Sequence, residues 1–345
     1  MANRYWRGGT GTWDLTDTSH WSTTSGGAGG ASVPTNADAV IFDNNSGTGT
    51  TTVNDSVVCA SLTTTSYNGT ISIANGQRIT VSGNVTIGSG TTWTVGGGHA
   101  LTIDGTCTLT SNGKNLGIVE SFGVAVTLAD ALTATGFGLG FSQSGGSFTS
   151  ANFAINTDKF VVLSGSIDLG TSTVTLTDGD FANNADGTST TASATVKMNI
   201  TNSGGREFDG GGYSYSKVWM TGAGSGAHST RGDNTIGELQ IDARTGGRVV
   251  NFRRSTTNTI TTITCAGMAG NLTTLQSSVA GTPFTLSKSS GAVAVDYCNI
   301  IDSTAAGGAT FKATRSIDGG GNTGWIFVTA AGAPPRAARA TYLRM

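Results

Sequence analysis

Four acidic residues are the side chains in this sequence whose spacing suits catalysis. Asp178 and Asp180 flank a glycine, and Glu207 precedes Asp209 by two positions. Two carboxyl groups at a set separation can hydrolyse a glycosidic bond, one as general acid and the other as base or nucleophile. The alternative is that the Asp-Gly pairs mark turns between strands. Glutamate is rare and no acidic cluster combines with aromatic residues, so we predict that the protein is not an enzyme.

Metal and cofactor chemistry has little support in the sequence. His20, His99 and His228 are isolated from one another and lack the spacing of metal ligands. Gly96–Gly98 follows a strand-like run but opens no helix, so it does not form a phosphate-binding loop. Asp318–Asn322 lacks the full ligand series of a calcium loop and is predicted to be a closing turn. We therefore expect no metal and no cofactor.

Two further features depend on context. Arg231, Gly232 and Asp233 match the integrin-binding tripeptide, but a match of three residues is weak evidence for binding. The cysteines are far apart along the chain, and each lies in a strand-like run, so we expect buried free thiols. These cysteines are Cys59, Cys107, Cys265 and Cys298.

The composition indicates the kind of fold that must position these residues. Glycine contributes 53 of the 345 residues, 12% of the chain is charged and 37% is hydrophobic, and the formal net charge is −2. Scarce helix formers and abundant β-branched and turn residues favour an all-β protein. The small net charge gives no reason to expect a nucleic-acid partner. No segment has the ~18 apolar residues of a membrane span.

A pattern of alternating apolar residues around a glycine occurs three times, at Ile79–Ile87, Leu101–Leu109 and Val161–Leu169. The first two copies begin 22 residues apart and the last two 60 apart, which is three steps of 20. Fixed periods of about 20 to 50 residues are typical of solenoids. Each copy can supply two short strands whose inward side chains stack on the next coil. We therefore predict a right-handed parallel β-helix of about 13 turns and ~60 Å, with capped ends. A β-sandwich or jelly roll is the alternative.

Changes in composition along the chain divide it into four segments. The first holds three of the six tryptophans and few alternating runs, as expected of a cap over the open edge of a solenoid. The segments are an N-terminal cap or attachment segment at 1–51, a β-solenoid at 52–203, its continuation with closing turns at 204–328, and an arginine-bearing tail at 329–345.

Motifs at both ends and in the middle carry a resemblance. The opening contains YWRGGTGTWD at 5–14, HWS at 20–22, VP at 33–34 and ADAVIFD at 37–43. The middle contains FDGGGY at 208–213 and NTIGELQI at 234–241. The end contains VDYCNIIDS at 295–303, GG at 307–308 and SIDGGGNTGWIF at 316–327. Together they resemble β-solenoid surface proteins, which include autotransporter-type adhesins and virion proteins of tailed bacteriophages.

The resemblance implies a structural role and assigns no catalytic residue. Exported adhesins need a secretion signal, and autotransporters also need a membrane barrel, whereas virion proteins assemble in the host cytoplasm. The sequence shows neither feature, so we expect a non-enzymatic bacteriophage virion protein made in the host cytoplasm. It would be a tail fibre, spike or capsid decoration that attaches to the host or stabilises the particle. The alternatives are a bacterial surface adhesin and a polysaccharide depolymerase spike.

Two groups of residues are candidates for contact with partners, because aromatic residues and arginine are enriched at interfaces. Trp6, Trp13 and Trp21 could anchor the chain to a neighbour or pack against the first coil, and both roles are open. The arginines of the tail could dock on an acidic neighbour, or the tail could be disordered; they are Arg336, Arg339 and Arg344. The resemblance implies other capsid or tail proteins as partners, a homotrimer, and a host surface glycan.

Overall fold

The computed structural model describes residues 1–98 and 100–328, which are almost entirely β-structure. They form 37 strands, β1 to β37 in chain order, and one turn of 3-10 helix at Asn44–Ser46. Apart from one antiparallel pair near the N-terminus, the strands stack in parallel into a β-solenoid of about 13 turns, which confirms the predicted fold and number of turns. The sandwich and jelly-roll alternative is wrong, because those folds are built from antiparallel sheets.

The longest sheet, called the long sheet below, contains 21 strands. It supplies two arms of many turns, as β9 and β10 do in one turn and β12 and β13 in the next. Its strands are β1 (Ala2–Trp6), β3 (Trp21–Ser22), β4 (Asp38–Ile41), β6 (Val57–Cys59), β7 (Ser61–Thr63), β9 (Ile79–Val81), β10 (Val85–Thr86), β12 (Leu101–Ile103), β13 (Cys107–Thr110), β14 (Val119–Phe122), β15 (Ala125–Leu128), β17 (Phe141–Thr149), β19 (Phe160–Asp168), β21 (Phe181–Asn183), β22 (Ser189–Thr190), β24 (Arg206–Asp209), β26 (His228–Arg231), β28 (Arg248–Phe252), β30 (Thr273–Ser277), β33 (Cys298–Ile301) and β36 (Ile317–Asp318).

Three smaller sheets supply the other arms. The four-stranded sheet contains β2 (Gly11–Trp13), β5 (Thr50–Val53), β8 (Thr70–Ile73) and β11 (Thr92–Val95). The nine-stranded sheet contains β16 (Leu132–Ala134), β18 (Ile155–Thr157), β20 (Thr173–Thr177), β23 (Thr195–Asn199), β25 (Ser214–Thr221), β27 (Thr235–Ile241), β29 (Thr257–Cys265), β31 (Phe284–Lys288) and β34 (Ser303–Gly307). The three-stranded sheet contains β32 (Ala292–Asp296), β35 (Thr310–Thr314) and β37 (Trp325–Val328).

The first two predicted repeats occupy consecutive turns. Ile79 of β9 pairs with Leu101 of β12, so this turn takes 22 residues, as the sequence pattern predicts. The glycine between the two arms is needed for close approach of the turns. A Cβ at Gly105 would overlap the carbonyl oxygen of Ser82 on the preceding turn, so any other residue would push the two turns apart.

The third predicted repeat is out of register by one residue in its first half. The pattern places Val161 and Leu163 inward, but Phe160 and Val162 are fully buried and Leu163 is 55% exposed. The pairing of β17 with β19 contains register shifts. Because side chains alternate between the two faces of a strand, a shift of one residue reverses which of them face inward. Ile167, beyond the irregular stretch, is buried as predicted.

Phenylalanines occupy one inward position through four consecutive turns. Phe141, Phe160, Phe181 and Phe208 pair in register, and their neighbouring rings stack with centroids 5.1, 5.5 and 5.4 Å apart. All four side chains are fully buried. Each ring covers the ring of the turn before it, so the turns interlock through a continuous apolar core. The four cysteines are also buried free thiols, as predicted.

Truncation inside this stack is expected to destabilise the solenoid strongly. Phe181→Ala removes a ring that stacks on neighbours in both adjacent turns, and we expect the free energy of unfolding to fall by about 3–5 kcal/mol. Urea unfolding followed by circular dichroism measures this loss. Leu163→Ala, at an exposed position one turn away, is the control and should change stability by less than about 0.5 kcal/mol. Equal effects of the two substitutions would contradict the stack's role.

Candidate functional site

A groove lies on the outward face of the long sheet, where β19, β21, β24 and β26 are neighbours. Val161 and Ala182, which pair on adjacent turns, are among the residues that line it. This first part of the groove, called the acidic end, has a volume of about 570 Å³. Its lining includes Lys159, Asp180, Asn184, Glu207, Asp209 and Arg231. The alternation of the strands sends these polar side chains outward while the phenylalanine stack lies on the inner face.

A second depression, the arginine end, covers the next turns of the same sheet and has a volume of about 400 Å³. Glu207 belongs to both parts, so together they are called the axial groove. Glu207 pairs with Ser229, and Ser229 pairs with Asn251, which carries the groove from turn to turn. The arginine end is lined by Glu207, Ser229, Thr230, Asn251, Arg253, Arg254, Ser278 and Val279.

Arg231 forms ion pairs with two carboxylates where the acidic end meets the arginine end. Its guanidinium lies 3.4 Å from a carboxylate oxygen of Asp209 and 3.5 Å from one of Glu207. The backbone N–H of Glu207 donates to the carboxylate of Asp180 at 2.9 Å. Arg231 and Glu207 are nearly half exposed, so solvent screens these ion pairs and they add little to stability. Their effect is to fix where charge lies along the groove.

Three of the four predicted carboxylates therefore meet in one groove. Asp180, Glu207 and Asp209 each act as acceptors in the contacts that the structure shows. The arrangement can accept hydrogen bonds from the hydroxyl groups of a ligand.

Asp178 is not part of the groove lining and serves a turn instead. Its carboxylate accepts hydrogen bonds from the backbone N–H of Thr201 at 2.6 Å and of Asn202 at 3.2 Å. Burial alone would raise the pKa of Asp178, but a hydrogen bond from the hydroxyl of Thr201, the two backbone hydrogen bonds and the nearby Arg206 hold the pKa below its usual value. The turn alternative is confirmed for this residue.

The integrin-like tripeptide is built into a corner of the solenoid. Arg231 is engaged by the two groove carboxylates, as described above. Gly232 has a φ of 87°, in the left-handed region. The carboxylate of Asp233 accepts the backbone N–H of Thr257 at 2.6 Å, one turn further on. Both charged side chains are thus used within the chain.

Arg253 and Arg254 are groove residues that the sequence analysis missed. A signal for one of them is present in the turn length, because Arg253 follows Arg231 by 22 residues. Thr230 pairs with Phe252, which sets the same step in this turn. Only the structure reveals that β24, which carries Glu207 and Asp209, pairs with β26. This pairing brings the arginines of the following turn into the same groove as Glu207.

The three histidines lie in different surroundings. A ring nitrogen of His20 lies 2.9 Å from the carbonyl oxygen of Arg7, and the ring stacks on Trp6 at 4.7 Å. His99 lies outside the described residues. Within the described part of the chain no group of three or more His, Cys, Asp or Glu side chains could hold a metal ion. Asp318–Asn322 forms a turn, in which the side-chain amide of Asn322 donates to the carboxylate of Asp318 at 2.7 Å.

His228 is enclosed in the core beside a buried arginine. Its ring is 1% exposed, and one ring nitrogen lies 3.1 Å from the carbonyl oxygen of Met198. The other lies 3.2 Å from the guanidinium of Arg248, which is also 1% exposed. The Arg248 guanidinium donates to backbone carbonyl groups, including that of Gly222 at 2.7 Å. Burial and the charge of Arg248 lower the pKa of His228 to about 4, so the ring is neutral at pH 7.

The three N-terminal tryptophans are fully packed within the chain. Trp6, Trp13 and Trp21 have exposed fractions of 0, 1 and 0%. Their rings contact one another and Phe42, which in turn contacts Tyr67 at 5.1 Å. Packing against the first coil is therefore the role that the contacts show. An interface anchor needs exposed surface, and these side chains have none, because each is covered by its neighbours in the cluster.

The tail arginines, Arg336, Arg339 and Arg344, lie outside the described residues. Among residues 1–98 and 100–328 there is no helix of the length and hydrophobicity needed to cross a membrane.

Comparison with known proteins finds no matching family model, no similar curated protein and no similar solved structure. The geometry of the groove and the motifs of the sequence are therefore the basis on which a function can be proposed.

Protonation of His228 is expected to make stability depend on pH. The pKa falls from its ordinary 6.5 to about 4 in the folded chain, so between these values the unfolded chain binds a proton that the folded chain does not. The free energy of unfolding should therefore drop by up to about 3 kcal/mol as the pH falls through this window. Urea unfolding at several pH values measures the slope, and His228→Gln should flatten it. An unchanged slope in the variant would contradict this linkage.

Proposed function

We propose that the chain is a non-enzymatic structural protein of a bacteriophage virion, a β-solenoid rod that projects from the tail or the capsid. The observation that carries the proposal is the continuous stack of about 13 turns. A solenoid whose core runs along its whole axis is a rigid spacer with long lateral surfaces. The resemblance of the end and middle motifs to phage β-solenoid proteins supports the same role.

Host attachment is the role within the virion that the axial groove supports best. The groove lies on the side of the rod and is lined by charged and amide side chains, with ion pairs that hold their positions. Such a surface suits a polar polymer such as a host surface glycan. The proposed partners are other capsid or tail proteins, further copies of this chain in a homotrimer, and that glycan. The proposed location is the virion.

A polysaccharide depolymerase is the second candidate function, because Asp180, Glu207 and Asp209 share one groove. The position of Asp178 at a turn, outside the groove lining, weighs against this alternative. A bacterial surface adhesin would use the same rod and groove, so the two attachment proposals differ in where the protein is found.

Particles purified from a lysate of the producing host are expected to contain this chain. As a structural component, it should be present in a fixed ratio to the main capsid or tail protein through successive density gradients. Quantitative mass spectrometry of the gradient fractions measures the ratio, with an abundant host protein as the control for contamination. Loss of the chain from the particles, together with its exposure on intact uninfected cells, would favour the adhesin.

Incubation of the protein with capsular polysaccharide from permissive hosts is expected to release no new reducing ends. The proposal assigns the groove carboxylates to binding, so neither Glu207→Gln nor Asp209→Asn should alter this result. A reducing-end assay over several hours measures cleavage. New reducing ends that disappear in Glu207→Gln, with Asp178→Asn unchanged as the control, would establish the depolymerase alternative.

A further inference from the structure

Arg253 and Arg254 differ from Arg231, the other arginine of the groove lining, in having no partner for their guanidinium groups among the described residues. Both side chains are exposed. Within the described residues, neither guanidinium has an ion pair or a hydrogen bond, whereas Arg231 is held by two carboxylates. Two adjacent cations left unpaired at the edge of a depression are available to an anionic ligand. Guanidinium groups suit carboxylate, sulfate and phosphate because their planar N–H donors match these oxygens.

The surroundings of the two arginines are ordered by hydrogen bonds. The backbone N–H of Arg254 donates to the hydroxyl of Ser278 at 3.0 Å, which ties this corner to the next turn. The carbonyl oxygen of the Asn251 side chain accepts from the amide of Gln276 at 2.8 Å, so its NH₂ group remains a donor at the groove. Ser229 lies between Glu207 and Asn251 on the floor. Beside the carboxylate of Glu207, the arginine end therefore presents hydrogen-bond donors.

The balance of charge differs between the two ends of the axial groove. The acidic end has the carboxylates of Asp180, Glu207 and Asp209 against the cations Lys159 and Arg231, whereas the other end has the two free arginines against Glu207 alone. A ligand that spans the groove needs an anionic group for the arginines and hydroxyl groups to donate to the carboxylates. Nucleic acid carries a phosphate at every unit and would meet repulsion at the acidic end. An acidic polysaccharide, with charged and neutral hydroxyl-bearing parts, fits both ends.

We propose that the axial groove binds an anionic polysaccharide, with an acidic group of the polymer at Arg253 and Arg254. The chain of sugars runs along the solenoid axis, from turn to turn spaced about 4.8 Å apart. Hydroxyl groups of the polymer donate to Glu207 and its neighbours at the acidic end. This inference rests on the proposed attachment function and names its ligand class.

Binding of the full chain to defined polymers tests the assignment. The probes are polygalacturonate for carboxylate, dextran sulfate for sulfate, neutral dextran, and duplex DNA, compared by isothermal titration calorimetry at fixed salt. We expect at least one acidic polysaccharide to bind at least about tenfold more tightly than neutral dextran or DNA, and the better of the two names the acidic group. The double variant Arg253→Gln/Arg254→Gln should lose at least about tenfold in affinity.

The matched control removes two exposed cations elsewhere on the rod, Arg78→Gln/Lys312→Gln, and should bind within about twofold of the unaltered chain. Circular dichroism and urea unfolding confirm that both double variants are folded. Three outcomes overturn the inference: no preference for an acidic polysaccharide over dextran, equal losses in the two double variants, or DNA binding as tight as polysaccharide binding. If the chain is nevertheless present in purified particles, the virion proposal stands and only the ligand assignment is lost.

Discussion

The stacking of each turn on its neighbours is the constraint on which the whole molecule depends. One turn has too little apolar surface to fold alone, and it gains a core only when the next turn covers it. The phenylalanine stack is the clearest case, since Phe160 and Phe181 each lie between two other rings. The tryptophan cluster covers the first turns in the same way. Stability and shape therefore come from one repeated contact.

The same constraint determines what the surface can do. Most inward positions hold core residues, so most charged side chains lie in outward columns, in which residues of successive turns are neighbours. Arg231 meets Asp209 because the two occupy the same position on adjacent turns. A function that uses such columns binds a ligand that extends along the axis of the rod. The proposed attachment to a polymer uses this arrangement, because the groove distributes charge over several turns.

His228 and Arg248 show the cost of departing from this rule. Both are polar residues at inward positions, and their nitrogen atoms are satisfied by carbonyl groups and by each other. Burial keeps the imidazole neutral at pH 7, because a second charge beside Arg248 would be unfavourable. At this site the core holds two large polar side chains because the backbone of neighbouring turns supplies acceptors for them.

The sequence by itself determined the all-β class, the solenoid and the length of a typical turn, because alternation and glycine corners are local in the chain. It also identified the four candidate carboxylates, but not which of them lie in the groove and which serves a turn. The turn from Phe181 to Phe208 takes 27 residues, whereas that from Thr230 to Phe252 takes 22. Because the length of a turn decides which outward residues become neighbours, only the tertiary structure showed that Arg253 lines the groove. It also showed that the inward and outward positions of the first half of the third repeat are exchanged, and that the three tryptophans are buried. Each of these three features depends on contacts between turns, which the local sequence pattern does not encode.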